Sequence, residues 1–435
     1  MPEETRHFRR GLGNREAVVG ILHADYHSGL VEFLRANGYR FHHHDTTLRL
    51  AREFGFCYGV DRAVEYAYEA RARFPDRRTW LVGEIIHNPG VNRRLEEMGI
   101  RFLPAAGTVP DQFAEVGADD VVIIPAFGVP HADFTRLRER GCILVDPTCG
   151  SVLTVWKSVE KYARSGVTAI IHGKYDHEET RATCSQVTCH PGAHFLVVRD
   201  RSEAQEVCAF LEGRLNRAAF LERFAQAASP GFDPDLHLER IGCANQTTML
   251  SSESLEIAGL LRAAVARRHG EAAAAERVQS FDTICSATQE RQDAVLELVA
   301  GGCGLMIVIG GFNSSNTNHL VEIASASTRT YHIEDAANLV SERWIRHKPL
   351  GEQSPLVEEG WLPAGPLTIG VTAGASTPDS EIGASIERLL RFRGMPEEVL
   401  AEAATEGRRI AEDRRRRELE RMRSKRDSSD LTPPS

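Results

Sequence analysis

From Thr47 onward, short β-branched or Leu-rich runs alternate with amphipathic stretches of helical period. A parallel strand pair needs a crossover connection, and a helix supplies it, so this alternation predicts βαβ units and parallel sheets. The predicted strands are LRLA near 48, WLVGEII near 80, VVIIPAF near 121, ILVD near 143, VTAII near 167, FLVV near 195, RIGCA near 240, VQSFDTI near 278, LMIVIGG near 305, TYHIE near 330 and LTIGVTA near 367. Helices are predicted over 61–74, 132–140, 154–165, 252–269, 289–299, 316–325 and 379–391. One sheet usually holds about four to six strands, so the expectation is an α/β protein of several small sheets. At 435 residues the chain also exceeds one ordinary core.

The expected organisation is an N-terminal extension (1–46), a first α/β unit (47–148), a second (149–283) with a charged helical insertion near 201–238, a third (284–385), and a charged tail (386–435). In the extension, 16–36 reads as helical, and His42, His43 and His44 sit between loop-like flanks. The tail mixes charges as a solvated helix does, and its SSDLTPPS end reads as disordered.

The net charge of −9 argues against nucleic-acid binding. No apolar run approaches a membrane span, and the first residues lack the apolar core of a signal peptide. A cytoplasmic protein is expected. There are nine cysteines and no CxxC pair, so neither a disulfide framework nor a zinc ribbon fits. If cysteines ligate a metal here, they come from distant positions.

The predicted strand ends concentrate chemistry. GFCYGV, PTCG and DTICSAT place Cys57, Cys149 and Cys285 after strand-like runs and before helices. A helix N-terminus favours the thiolate, the form that binds metal. On spacing alone, three isolated cysteines are more often buried core residues. Cys208 reads as helical, Cys303 as part of a Gly-rich turn, and Cys184 and Cys189 as loop. His87, His172 and His177 follow other runs. His177 and Glu179 project together, so the imidazole can orient a carboxyl group for proton delivery. Ser314, Ser315 and Asn316 follow a Gly-Gly turn and open a helix, and Ser376 lies in a similar loop. Hydroxyls beside helix-start N–H groups suit phosphate oxygens, although a serine cap alone would look alike. No GxGxxG or P-loop motif supports a nucleotide site.

Taken in order, GFCYGVDRAV, EIIHNPGVNRRLEEMG, VDPTCG, GKYDHEET, NQTTML, DTICSATQERQDAV, GGFNSSNTNHLVEIA and GVTAGASTPD resemble the 4-hydroxy-3-methylbut-2-enyl diphosphate reductase family, from about residue 50 to 385. The resemblance implies a pseudo-threefold trefoil of three small parallel-sheet units around a central cavity. It implies a [4Fe–4S] cluster on Cys57, Cys149 and Cys285 with one open iron. His87, His177, Ser314, Ser315, Asn316 and Ser376 would bind the diphosphate. Thr248 would lie close to the substrate, Thr247 would position its hydroxyl, and Glu179 would deliver the proton. The reaction would remove the allylic hydroxyl of (E)-4-hydroxy-3-methylbut-2-enyl diphosphate, giving isopentenyl and dimethylallyl diphosphate. An external one-electron donor of ferredoxin or flavodoxin type would be the partner. Where many bacterial members carry a histidine, this chain has Phe127, a feature shared with the branch found in oxygenic phototrophs. Lys174 is the nearby candidate to replace the missing donor. Rival readings are a three-cysteine dehydratase or synthase of quinolinate-synthase type, a non-enzymatic iron–sulfur redox sensor, and an α/β protein without a cluster.

Overall fold

The computed structural model describes residues 6–280 and 283–429, with only the backbone described over 418–429. The tail's last residues, 430–435, and Phe281 and Asp282 of the predicted VQSFDTI strand lie outside that range. The chain forms two compact units, one of residues 1–20 and 57–290 and one of 21–56 and 291–435.

The first unit holds two sheets, both wholly parallel. One has the order His7–Phe8, Ile143–Val145, Val121–Ile123, Thr79–Leu81, Ile100–Phe102. The other runs Val278–Ser280, Ile241–Asn245, Thr168–His172, Phe195–Val198. The central strands are buried at every position, as parallel strands covered on both faces by helices must be. Residues 201–238, expected as an insertion, form three helices whose Val207, Phe210, Phe220 and Phe224 complete the second sheet's core.

The second unit holds the order Thr330–Ile333, Leu305–Ile309, Leu367–Ala373, Thr46–Leu50, Arg40–His43. Its edge strand Arg40–His43 is antiparallel, and a separate hairpin joins Trp344–His347 to Leu356–Glu359. Two expectations are corrected here. Thr46–Leu50 does not open the first unit, because it pairs in register with Leu367–Ala373. The histidine triplet is not plain loop: His42 and His43 lie in the edge strand, and His44 turns the hairpin with φ 50°. The helical patch 16–36 is two helices, Arg15–Tyr26 and Gly29–Ala36. Glu397–Ser429 forms one long helix, whose Ala404 and Gly407 pack directly on the Gly29 backbone.

Two predicted strands are shorter than expected. WLVGEII yields only Thr79–Leu81, since Gly83 at φ +66° turns the chain, and VVIIPAF stops at Ile123 before Pro125. The residues freed by these early stops form the loops that carry His87 and Phe127.

Candidate active site

Within each parallel sheet the strands end on one edge, the one where ligands bind in open α/β sheets. In the first sheet that edge carries Cys149, Phe127 and His87 after three adjacent strands. In the second it carries Cys285, Thr247 and Glu179, again after three adjacent strands.

None of the three cysteines is in a disulfide, and all are half-buried. Cys57 and Cys149 are the N-cap residues of helices Tyr58–Arg73 and Gly150–Arg164, and Cys285 immediately precedes Ser286–Ala300. Gly59 is what lets two of them approach. A Cβ there would lie 2.5 Å from the Cys149 sulfur and 4.0 Å from the Cys57 sulfur. Ser151 Oγ donates to the Cys285 sulfur at 3.3 Å. Burial raises the Cys149 pKa and the neighbouring Cys285 adds to it, while N–H groups of Ser151 and Val152 pull it down. By contrast Cys142 and Cys243 are core thiols, pushed up by burial to about 11 and about 12. Three half-buried thiols at helix starts, none in a disulfide, suit a thiolate-ligated centre whose metal would supply the positive charge that deprotonates them.

The stretch from Glu178 to Thr188, expected as loop, is a helix capped by an imidazole: Nδ1 of His177 accepts from the Glu179 N–H at 3.1 Å. Cys184 therefore lies buried inside a helix and Cys189 at its C-cap. Glu179 is 2 % exposed. Thr247 donates its N–H to Oε1 at 2.6 Å and its hydroxyl to Oε2 at 2.9 Å. Burial raises the Glu179 pKa to about 7 against the pull of those two bonds. Such a carboxyl group can hold and release a proton near neutrality.

His87 Nε2 and His177 Nε2 are 3.2 Å apart. Burial, then the charges of His87 and Lys174, push the His177 pKa down to about 3. Phe127 stacks on His87 with centroids 5.1 Å apart and planes at 13°, and meets His177 edge-on. Atoms of His87, His177 and Glu178 lie within 4.8 Å of one another, close enough to suggest a cation site. The tautomer argues against it. His177 Nδ1 is occupied as an acceptor, so Nε2 carries the proton and has no lone pair for a metal.

Gln246 was not singled out from the sequence, although it lies inside NQTTML. It is 1 % exposed and bonds Lys174 N, Thr180 Oγ1 and Thr248 Oγ1. It fixes the His177 loop to the Thr248 loop, and Gly173 leaves room for it, since a Cβ there would sit 3.0 Å from the Gln246 Cβ. Glu84, also missed, accepts or shares a proton with His87 Nδ1 at 3.0 Å. His172 is a structural residue, 2 % exposed and bonded to Ser254 Oγ at 2.8 Å.

In the second unit, Ser314 caps helix Ser315–Ser325 by accepting from Thr317 N at 3.3 Å. Asn316 Oδ1 accepts from Ala375 N at 2.9 Å, so the Ser-Ser-Asn loop and the Ser376 loop meet. Ser315 Oγ and Asn316 Nδ2 are buried without a protein partner. Buried donors without partners cost about 1–3 kcal/mol each, a cost that an anion at this helix start would remove.

A family model described as "LytB protein" matches residues 48–390. The chain belongs to the LytB protein family. A curated relative from Thermosynechococcus vestitus, named 4-hydroxy-3-methylbut-2-enyl diphosphate reductase, is 48% identical over 388 residues, 89% of this chain and 95% of the relative. One of the same name from Gloeobacter violaceus is 47% identical over 399 residues, 91% of this chain and 94% of the relative. Both relatives are cyanobacterial, in keeping with the branch inferred from Phe127. Among solved structures, the E-1-hydroxy-2-methyl-but-2-enyl-4-diphosphate reductase of Plasmodium falciparum shares the family fold, with TM-score 0.57 and 20% identity over 80% of this chain and 88% of that one.

Proposed function

We propose that this chain is a 4-hydroxy-3-methylbut-2-enyl diphosphate reductase of isoprenoid biosynthesis. The observation that carries the reading is the buried Glu179 carboxyl group, held at both oxygens by Thr247 and poised near pH 7, on the sheet edge that also bears Cys285. Cys57, Cys149 and Cys285 would hold a [4Fe–4S] cluster. When bound, it would supply electrons and a Lewis-acidic iron for the allylic hydroxyl.

The residues of the chain account for the rest. The resemblance to the family assigns diphosphate contacts to the ring nitrogens of His87 and His177, the hydroxyls of Ser314, Ser315 and Ser376 and the amide of Asn316. These donors are neutral or weakly charged, and fixed hydrogen bonds are strong where water is excluded. Thr247 orients both Glu179 and the substrate hydroxyl, with Thr248 beside the carbon chain. Glu179 gives a proton so that the hydroxyl leaves as water. The allylic carbon skeleton gains two electrons and one further proton, giving isopentenyl or dimethylallyl diphosphate. Phe127 removes one imidazole from this shell, and Lys174 is near enough to lower the His177 pKa.

A ferredoxin or flavodoxin type donor would deliver the electrons one at a time. No helix among the described residues is long and apolar enough to cross a membrane, and the enzyme would act in the cytoplasm. The deciding test is an anaerobic assay with (E)-4-hydroxy-3-methylbut-2-enyl diphosphate and a chemical one-electron donor. Both C5 diphosphates are expected as products. Reconstituted protein that holds iron and sulfide but leaves this substrate intact would return the site to the dehydratase or sensor readings.

A further inference from the structure

Glu84, His87 and His177 form a chain of hydrogen bonds in which one end fixes every proton. The Glu179 N–H donates to His177 Nδ1, so His177 is the Nε2–H tautomer. That N–H faces His87 Nε2 at 3.2 Å, so His87 Nε2 must accept. The His87 proton is then on Nδ1, where it donates to Glu84 Oε2 at 3.0 Å. At rest the His177 donor and the His87 lone pair are spent on each other.

A phosphoryl oxygen asks for donors from both rings. The one His177 donor is spent at rest on His87 Nε2. His87 Nε2 itself carries only a lone pair, and the ring's single proton is retained by a carboxylate that can accept but not donate. The neutral ring therefore cannot serve the anion without losing its Glu84 partner. Gaining a proton on Nε2 serves both, and the Phe127 face stacked on the ring favours a cation there.

We propose that Glu84 is a positioning residue that holds His87 in the Nδ1–H tautomer, so that binding of a diphosphate ester is coupled to protonation of His87. This rests on the reductase reading above. Other charged groups near the ring include Glu178, whose Oε2 lies 4.0 Å from His87 Nε2, Lys174, whose charge acts on His177, and Glu179, on which His87 itself acts. Of these, Glu179 is the one that would confuse a proton count, because its own pKa is raised to about 7.

The test is calorimetric titration of anaerobically purified Glu179→Gln holoenzyme with isopentenyl diphosphate. It is run at about pH 8, in two buffers of different ionisation enthalpy. The expected result is uptake of about one proton per molecule bound. In the Glu84→Gln/Glu179→Gln protein the new amide N–H donates to His87 Nδ1. The neutral ring can then carry its proton on Nε2, so uptake falls to near zero while binding persists. Binding without proton uptake in the single variant overturns the proposal, and so does undiminished uptake in the double variant. If the wild-type holoenzyme gives no binding at all, the reductase reading falls together with the proposal.

Discussion

Glu179 and Thr247 grip each other through both carboxyl oxygens, one bonded to the threonine N–H at 2.6 Å and the other to its hydroxyl at 2.9 Å. Two neighbouring strand ends thereby fix a single carboxyl group in a site where burial raises its pKa to about 7. Below that value Glu179 is protonated, and above it the group is ionised. A proton donor works in its acid form, so turnover should fall as pH rises through about 7. Glu179→Gln keeps the neutral shape without a transferable proton. We expect it to retain the cluster spectrum and lose roughly 10²–10⁴-fold in turnover, which an anaerobic pH–rate profile would measure. Full activity in that variant removes Glu179 from the donor role.

Thr247→Val should act on the same limb through a different bond. It deletes the hydroxyl that donates to Oε2 and leaves the N–H that donates to Oε1. The hydroxyl bond favours the ionised carboxylate, so its loss should raise the Glu179 pKa further and move the alkaline limb upward. Thr247→Ser should return it. A limb that stays in place in Thr247→Val would show that the hydroxyl bond does not tune Glu179.

The sequence conveyed the site's residue types better than its contacts. Cys57, Cys149 and Cys285 are legible because each is a thiol between an apolar run and a helical pattern, and all three do stand at helix starts. The helix Glu178–Thr188 escaped because its cap is an imidazole, where the usual signal is Ser, Thr, Asp or Asn. The strand Arg40–His43 escaped because Arg and His on a half-exposed edge hide the alternation. The approach of His87 to His177 joins the edges of two sheets across 90 residues, and no local pattern encodes that. Gln246 and Glu84 carry no motif signal of their own: their roles are a shared hydrogen bond and a fixed tautomer, which exist only once the loops have met.

Gly59 illustrates a position whose helix propensity points the wrong way. It lies in helix Tyr58–Arg73, where alanine would on propensity alone gain up to about 1 kcal/mol. Yet a Cβ there would stand 2.5 Å from the Cys149 sulfur, too close for either atom to stay in place. Gly59→Ala should therefore keep its helical circular dichroism and fail to hold a full complement of iron and sulfide after anaerobic reconstitution. Wild-type iron content in Gly59→Ala would mean that the Cys149 sulfur need not sit where it does.

Arg291 is placed to steady the chain just before Cys57. Its side chain is buried, and Nη2 donates to the carbonyls of Gly55 at 2.8 Å and Phe56 at 3.2 Å, with Nε adding a bond to Gly55 at 3.2 Å. Gly55 has φ +71° and sits tightly against Ile382 and the Thr377 carbonyl, so the turn it makes has little freedom. A planar fork can satisfy both carbonyls at once, whereas a single ammonium group cannot match that geometry. Arg291→Lys should cost about 1–3 kcal/mol through the carbonyl bonds it leaves unmade, visible as a lower Tm. If the guanidinium also holds Cys57 in position, the reconstituted variant should lose its visible cluster absorption in air faster than wild type, at a temperature where both remain folded. A lowered Tm with an unchanged bleaching rate would confine Arg291 to the stability of its own unit.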